Sequence, residues 1–151
     1  MLAGPLFIGI FACIELSYKL ILQSELDNRL YKTTYDISIN NHDAETAAEF
    51  LQQHFCPEVG TTFLKCSDIE IGVLRITGRS RLVDFRNTSV IGNWDLGTED
   101  DALIIELNYP LKNIVHPIAV ADIVERNGQK YYRSRGVTRR EPLLTSTGET
   151  S

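Results

Sequence analysis

The first fourteen positions, Met1 to Ile14, carry no charged side chain. Beyond them the apolar residues thin into a repeat. Leu22, Leu26 and Leu30 recur every four residues and Ile37 follows the same drift, with Ser24, Glu25, Asp27, Asn28, Arg29 and Lys32 between them. That spacing is an amphipathic helix. The two patterns join without a break, so the simplest object is one long helix, greasy in its first half, two-faced in its second and ended by Asn40 and Asn41. A second helix is expected from an Asp43 N-cap, with Glu45 in its first turn. Ala44, Ala47, Ala48, Leu51 and Phe55 form its apolar stripe, and Cys56-Pro57 stops it.

The period then changes to two. Ile69, Ile71 and Val73 alternate with Asp68, Glu70 and Gly72 in a strand that continues to Thr77. From Gly78 to Gly97 no period holds, which predicts a long loop or a short strand around Leu82 to Phe85, with Trp94 in a packing role. A second strand runs from Ala102 to Tyr109 with Leu103, Ile105, Leu107 and Tyr109 on one face, and Pro110 ends it. Ile118 to Arg126 and Gln129 to Thr138 flank Asn127-Gly128, the dipeptide that favours a tight hairpin. The fold class is α+β: a long N-terminal, partly transmembrane helix, a short second helix and an antiparallel sheet of three or four strands. Residues 1–23 read as a membrane anchor, 24–142 as a periplasmic domain and 143–151, rich in Thr and Ser, as a disordered tail.

The anchor rests on length. Fourteen helical residues reach about 21 Å, short of the roughly 30 Å hydrocarbon core. Extension to Gln23 brings the helix near 33 Å by the same rise, with Pro5, Phe7, Ile10, Phe11 and Ile14 among its membrane residues. Glu15 and Lys19 then fall inside the span. They stand four apart with the acid first, the favourable order for pairing on one helix face, and Lys19 can snorkel outward. A cleaved signal peptide fits poorly, because no Lys or Arg precedes the apolar run and no A-x-A site follows it. A core helix of a soluble protein is a rival, and an anchor whose first residues lie upstream is preferred.

Composition adds little until charge and cysteine are considered. The 151 residues suit one domain, and a net charge of −5 argues against a general nucleic-acid binder. Cys13 lies in the apolar run. Cys56 and Cys66 close a short polar loop and read as a disulfide in a non-cytosolic domain, worth roughly 3 kcal/mol in the chain-entropy model. A two-cysteine metal site is the weaker reading. His42, His54 and His116 are scattered, and no phosphate loop, nucleophile elbow or metal motif is present. No catalytic residue, cofactor or metal is therefore assigned. The acids Asp95, Glu99, Asp100 and Asp101 read as an acidic turn, with a cation site as the alternative. Arg133, Arg135 and Arg139 alternate, which places them on one strand face. They make either a solvated edge or a contact with an acidic neighbouring subunit or anionic headgroups.

These features resemble the TadE/TadF-like minor pseudopilins of tight-adherence pili. Pro5 followed by Glu15 across an apolar run is similar to the family's P-(apolar)-E helix segment. Cys56 and Cys66 precede a strand as is common there. Leu107-Asn-Tyr-Pro110 resembles its V-x-V-x-Y-P run, and Arg139-Arg140-Glu141-Pro142 its terminal R-x-E-P. The family's peptidase site, a Gly shortly before an acidic residue, does not precede the apolar run, so the start is expected upstream. The resemblance implies a non-catalytic subunit in the bacterial inner membrane with its domain in the periplasm. Its partners would be other pilins, the assembly machinery and the lipid bilayer, and Glu15 could exchange Lys19 for a neighbour's charge in the fibre. The rival is a membrane-tethered periplasmic module that binds a small ligand or cell-wall component.

Overall fold

The computed structural model describes residues 3–39, 46–58, 64–76, 88–98, 100–111 and 122–141. Helix α1 spans Ala3–Ile39 without interruption, about 55 Å at the usual rise. The leucine repeat is its packing stripe. Leu22, Leu26, Leu30 and Ile37 are all buried, and they lie against a four-stranded antiparallel sheet of order β1-β2-β4-β3. The strands are β1 (Glu70–Ile76), β2 (Ala102–Pro110), β3 (Ile123–Arg126) and β4 (Gln129–Arg139). The α+β class and its order of elements are as the sequence predicts.

Period two decides which side chains meet the helix. Ile71 and Val73 of β1, Leu103, Ile105, Leu107 and Tyr109 of β2 and Tyr132 of β4 share one core with the helix leucines. Pairing places Ile71 opposite Leu107 and Val73 opposite Ile105. The helix comes closest over β4, where a Cβ on Gly136 would stand 3.0 Å from Thr34 Oγ1 and 3.5 Å from Leu30. The hairpin turns at Asn127 and Gly128, both with positive φ (52° and 76°), as a type I′ turn requires. Pro110 is the last residue of β2. Strand positions expected at 77, 82–85 and 118–121, and the ends proposed at Asn40, Asn41 and beyond Pro142, lie outside the described residues.

The second helix differs from expectation. Helix α2 (Ala47–Phe50) is capped by Thr46, with Glu49 N–H donating to Thr46 Oγ1 and Thr46 N–H to Glu49 Oε2, both at 3.2 Å. This reciprocal box follows from Thr46-x-x-Glu49; Asp43 lies outside the described residues. The helix then widens into a π turn over Leu51–Phe55. Widening changes which residues line up: Phe50 and Phe55, five apart, are both buried, while Ala48 is exposed. A stripe drawn at α-helical spacing therefore omitted Phe50. Trp94 packs against the Phe50 ring at 5.4 Å between centroids, the packing role expected of it.

The other sheet face is covered by residues 88–92. Gly72 allows this crossing, since a Cβ there would collide with the Val90 carbonyl group. The chain then runs beside β1 as a parallel edge. Val73 N–H donates to Asn93 O and Asp95 N–H to Val73 O, each at 3.0 Å. Gly72→Ala is expected to destabilise the domain by about 1–3 kcal/mol, the usual range for overpacking. A thermal melt followed by circular dichroism checks this; an unchanged melt would mean the crossing segment yields freely.

Candidate functional site

The feature that most needs a partner is the first half of α1. Its apolar side chains from Leu6 to Ile14 stand in the open: Phe7 is 58% exposed, Phe11 69%, and Leu6, Ile8, Ile10 and Ile14 are likewise exposed. Pro5 sits in the first turn, where its missing N–H costs nothing. By length and composition this helix can cross a membrane, and only 11% of its apolar window is buried. A core helix of a soluble domain would be covered, so the exposure counts against that rival.

Packing begins earlier than the predicted boundary at residue 23. Lys19 is only 4% exposed and Leu22 is buried. Lys19 shares the sheet-facing side with Leu22 and Leu26, so it does not snorkel outward. Its Nζ lies 2.8 Å from Glu15 Oε1, the expected pairing. Tyr132 comes near the same point. Burial pushes its phenol up to about 12, and the Glu15 carboxylate and Tyr18 add to the shift. The run from Gly4 to Tyr18, in which Glu15 and Leu16 are half-buried, is about 22 Å long at the helical rise.

The arginines of β4 share one face, as their alternation predicts, yet each already holds a carboxylate of this chain. Arg133 grips Asp122 with two hydrogen bonds of 2.8 and 2.9 Å. Arg135 grips Glu106 Oε2 through Nε at 2.8 Å and Nη2 at 2.6 Å, and Nη2 also donates to Thr88 O. Arg139 lies 3.2 Å from Asp100 and keeps most of its side chain in solvent. β4 is also not a simple edge, because β3 pairs along its first residues. The acidic turn is satisfied in the same way. Thr98 donates to Asp101 Oδ2 through its N–H (2.7 Å) and its hydroxyl (2.8 Å). These bonds hold the Asp101 carboxyl below its ordinary value, and Arg75 assists. Among the described residues no group of three His, Cys, Asp or Glu is placed to hold a metal. Glu99, His42 and His116 lie outside them.

Comparison with family models, curated proteins and solved structures found no match for this chain.

The motif residues nevertheless have clear structural duties. Cys56 and Cys66 are joined, with Cα atoms 5.6 Å apart. The bridge ties the end of the π turn to the chain entering β1, and Lys65 N–H donates to the Tyr109 hydroxyl at 3.4 Å. Cys56→Ser is expected to cost about 3 kcal/mol, read as a lower denaturant midpoint that reductant reproduces in the parent chain. Arg140 donates to the Leu96 and Gly97 carbonyls at 3.2 and 2.9 Å, and Glu141 N–H donates to Ser38 O at 2.9 Å. The R-x-E segment thus clasps the acidic turn and the C-terminal end of α1. His54 stacks on Phe50 (5.1 Å between centroids) and lies 3.7 Å from Asp36. Beside it a groove of about 400 Å³ runs along α1, bordered by Tyr31, Lys32 and Tyr35. Tyr31 and Tyr35 are 73% and 59% exposed. Their i, i+4 spacing on the face away from the leucines is the sequence signal that would have singled them out.

Proposed function

We propose that this chain is a minor-pseudopilin-like subunit, held in the bacterial inner membrane by the first half of α1. Its domain stands in the periplasm and acts without catalysis in the assembly or initiation of a tight-adherence-type pilus. The observation that carries the reading is the division of one unbroken helix: Leu6 to Ile14 is apolar and exposed, and from Lys19 onward the same helix is the spine of a sheet domain. Lipid accepts the first half at no cost in unsatisfied backbone, because a helix meets its own hydrogen bonds. The disulfide suits an oxidising compartment. The resemblance of the Pro5–Glu15, Tyr109-Pro110 and Arg139–Pro142 segments to the TadE/TadF-like pattern supplies the pilus.

The partners on this reading are other pilins or pseudopilins, the assembly machinery and the bilayer, with no nucleic acid. Deletion is expected to abolish pilus formation, and a pull-down of the full chain from solubilised membranes to recover pilin-like proteins. Normal piliation of the deletion strain would remove the pilus and leave a tethered binding module, for which the groove beside Tyr31 and Tyr35 would be the place to look.

A further inference from the structure

The face of α1 turned away from the sheet has its own order. Ile14, Ile21, Asn28 and Tyr35 recur every seven residues, and so do Ile10, Ser17, Ser24 and Tyr31. Together they alternate by four and three, the spacing of a coiled-coil seam. All eight are exposed, and none is charged. A solvated helix normally puts its charges on this side; here Glu15, Lys19 and Arg29 lie on the sheet side or its border and the outer stripe stays neutral from the apolar half to Tyr35.

We propose that α1 pairs in parallel with the α1 of a second copy along this seam. Three features favour a second copy. A neutral stripe can face itself without setting like charges together. Ile14 and Ile21 occupy the positions where β-branched residues favour two parallel strands, and Asn28 occupies the next such position, where a polar residue fixes register. The flanks are complementary: Asp27 precedes the seam residue Asn28, and Lys32 follows Tyr31, five residues on, so in a parallel pair each Asp27 faces the other copy's Lys32. Asp27 is exposed, and its carboxylate also accepts from Gln23 at 3.1 Å and from Ser134 of β4, so a partner's Lys32 would share it with these bonds. Ser17 and Ser24 let the backbones approach closely where the helices leave lipid.

The parallel orientation rests on the anchored reading above, and the two fail separately. The test uses the full chain in isolated membranes, in a Cys13→Ser background, with single cysteines introduced by Ser24→Cys, Asn28→Cys or Tyr31→Cys and Val137→Cys as the exposed control off the helix. Mild oxidation is expected to give a product of two differently tagged copies, at least tenfold more at the seam positions than at Val137. Lys32→Asp is expected to lower the yield at position 28 several-fold, and adding Asp27→Lys to restore it. Seam yields no higher than the control, a product containing some other protein, or a charge reversal that fails to restore the yield would overturn the pairing. A chain that stays in the alkali-washed membrane pellet but does not cross-link overturns self-association alone. A chain absent from that pellet overturns the anchor and this proposal with it.

Discussion

Arg135→Met is expected to lower the stability of the domain by about 3–5 kcal/mol, the range for removing one member of a buried ion pair. Glu106 has no solvent exposure. Its carboxylate accepts from Arg135 twice, from Val90 N–H at 3.0 Å and from the Ser89 hydroxyl at 3.0 Å. These bonds hold the crossing segment 88–92 down on the sheet. Without the guanidinium, the charge stays in a poorly solvated site with two neutral donors, or the segment must lift to admit water. Either route exposes Val90, which is fully buried. Glu106→Leu combined with Arg135→Met should recover part of the loss, since no charge is then stranded. Recovery stays partial because the Val90 N–H and Ser89 hydroxyl lose their acceptor. Urea unfolding of the full chain in detergent, followed by Trp94 fluorescence, measures all three variants. A single variant within about 1 kcal/mol of the parent would mean that water reaches Glu106 in the native state.

Glu106 also marks the limit of what the sequence discloses. In Ala102 to Pro110 the inward set Leu103, Ile105, Leu107 and Tyr109 is plain, and the structure buries all four. The alternate set, Ile104, Glu106 and Asn108, reads as a solvent face by the same alternation, yet it too is buried. The cover comes from a segment with no period of its own, and the neutralising charge from Arg135, far along the chain. Neither is visible in a local window. The same gap explains the arginines of β4. Their common face is legible from alternation, but their carboxylate partners lie on other elements, so a basic run reads as a surface waiting for a partner.

Local rules succeeded where one element sets the answer. The leucine repeat of α1 depends only on helical geometry, and Asn127-Gly128 needs only backbone conformations that its residues adopt cheaply. They failed where geometry departs from its usual period. Phe50 and Phe55 share a side because the helix widens between them, and no composition rule foretells a π turn. Packing onto the sheet begins before the predicted boundary at residue 23 for a related reason. Lys19 looks like a snorkelling residue in a one-dimensional reading, but its angular position is that of Leu22 and Leu26. Burial beside Tyr132 and pairing with Glu15 at 2.8 Å offset its cost there. The heptad stripe from Ile10 to Tyr35 is legible in the sequence, because it too depends only on helical spacing.

The largest effect on location is expected from Phe7→Lys combined with Phe11→Lys. Each lysine near the middle of a spanning helix costs about 3 kcal/mol on insertion scales. Two such changes, added simply, amount to about 6 kcal/mol, a shift of more than ten-thousandfold in the insertion equilibrium by the thermal conversion of about 1.4 kcal/mol per decade. Both positions are exposed and remote from the core, so the sheet domain should fold as before. Near-ultraviolet circular dichroism around Trp94 reports that fold. The expected result is a folded chain that leaves the membrane pellet after alkaline washing while the parent chain remains. Paired lysines one turn apart share one helix face and can snorkel toward the same interface, so a matched variant at Ile39 (exposed, at the far end of α1) provides the contrast: Ile39→Lys should leave the pellet fraction unchanged. If Phe7 and Phe11 tolerate lysine as readily as Ile39 does, the apolar half of α1 meets protein instead of lipid, and the exposed run from Leu6 to Ile14 is then a docking helix for a soluble partner.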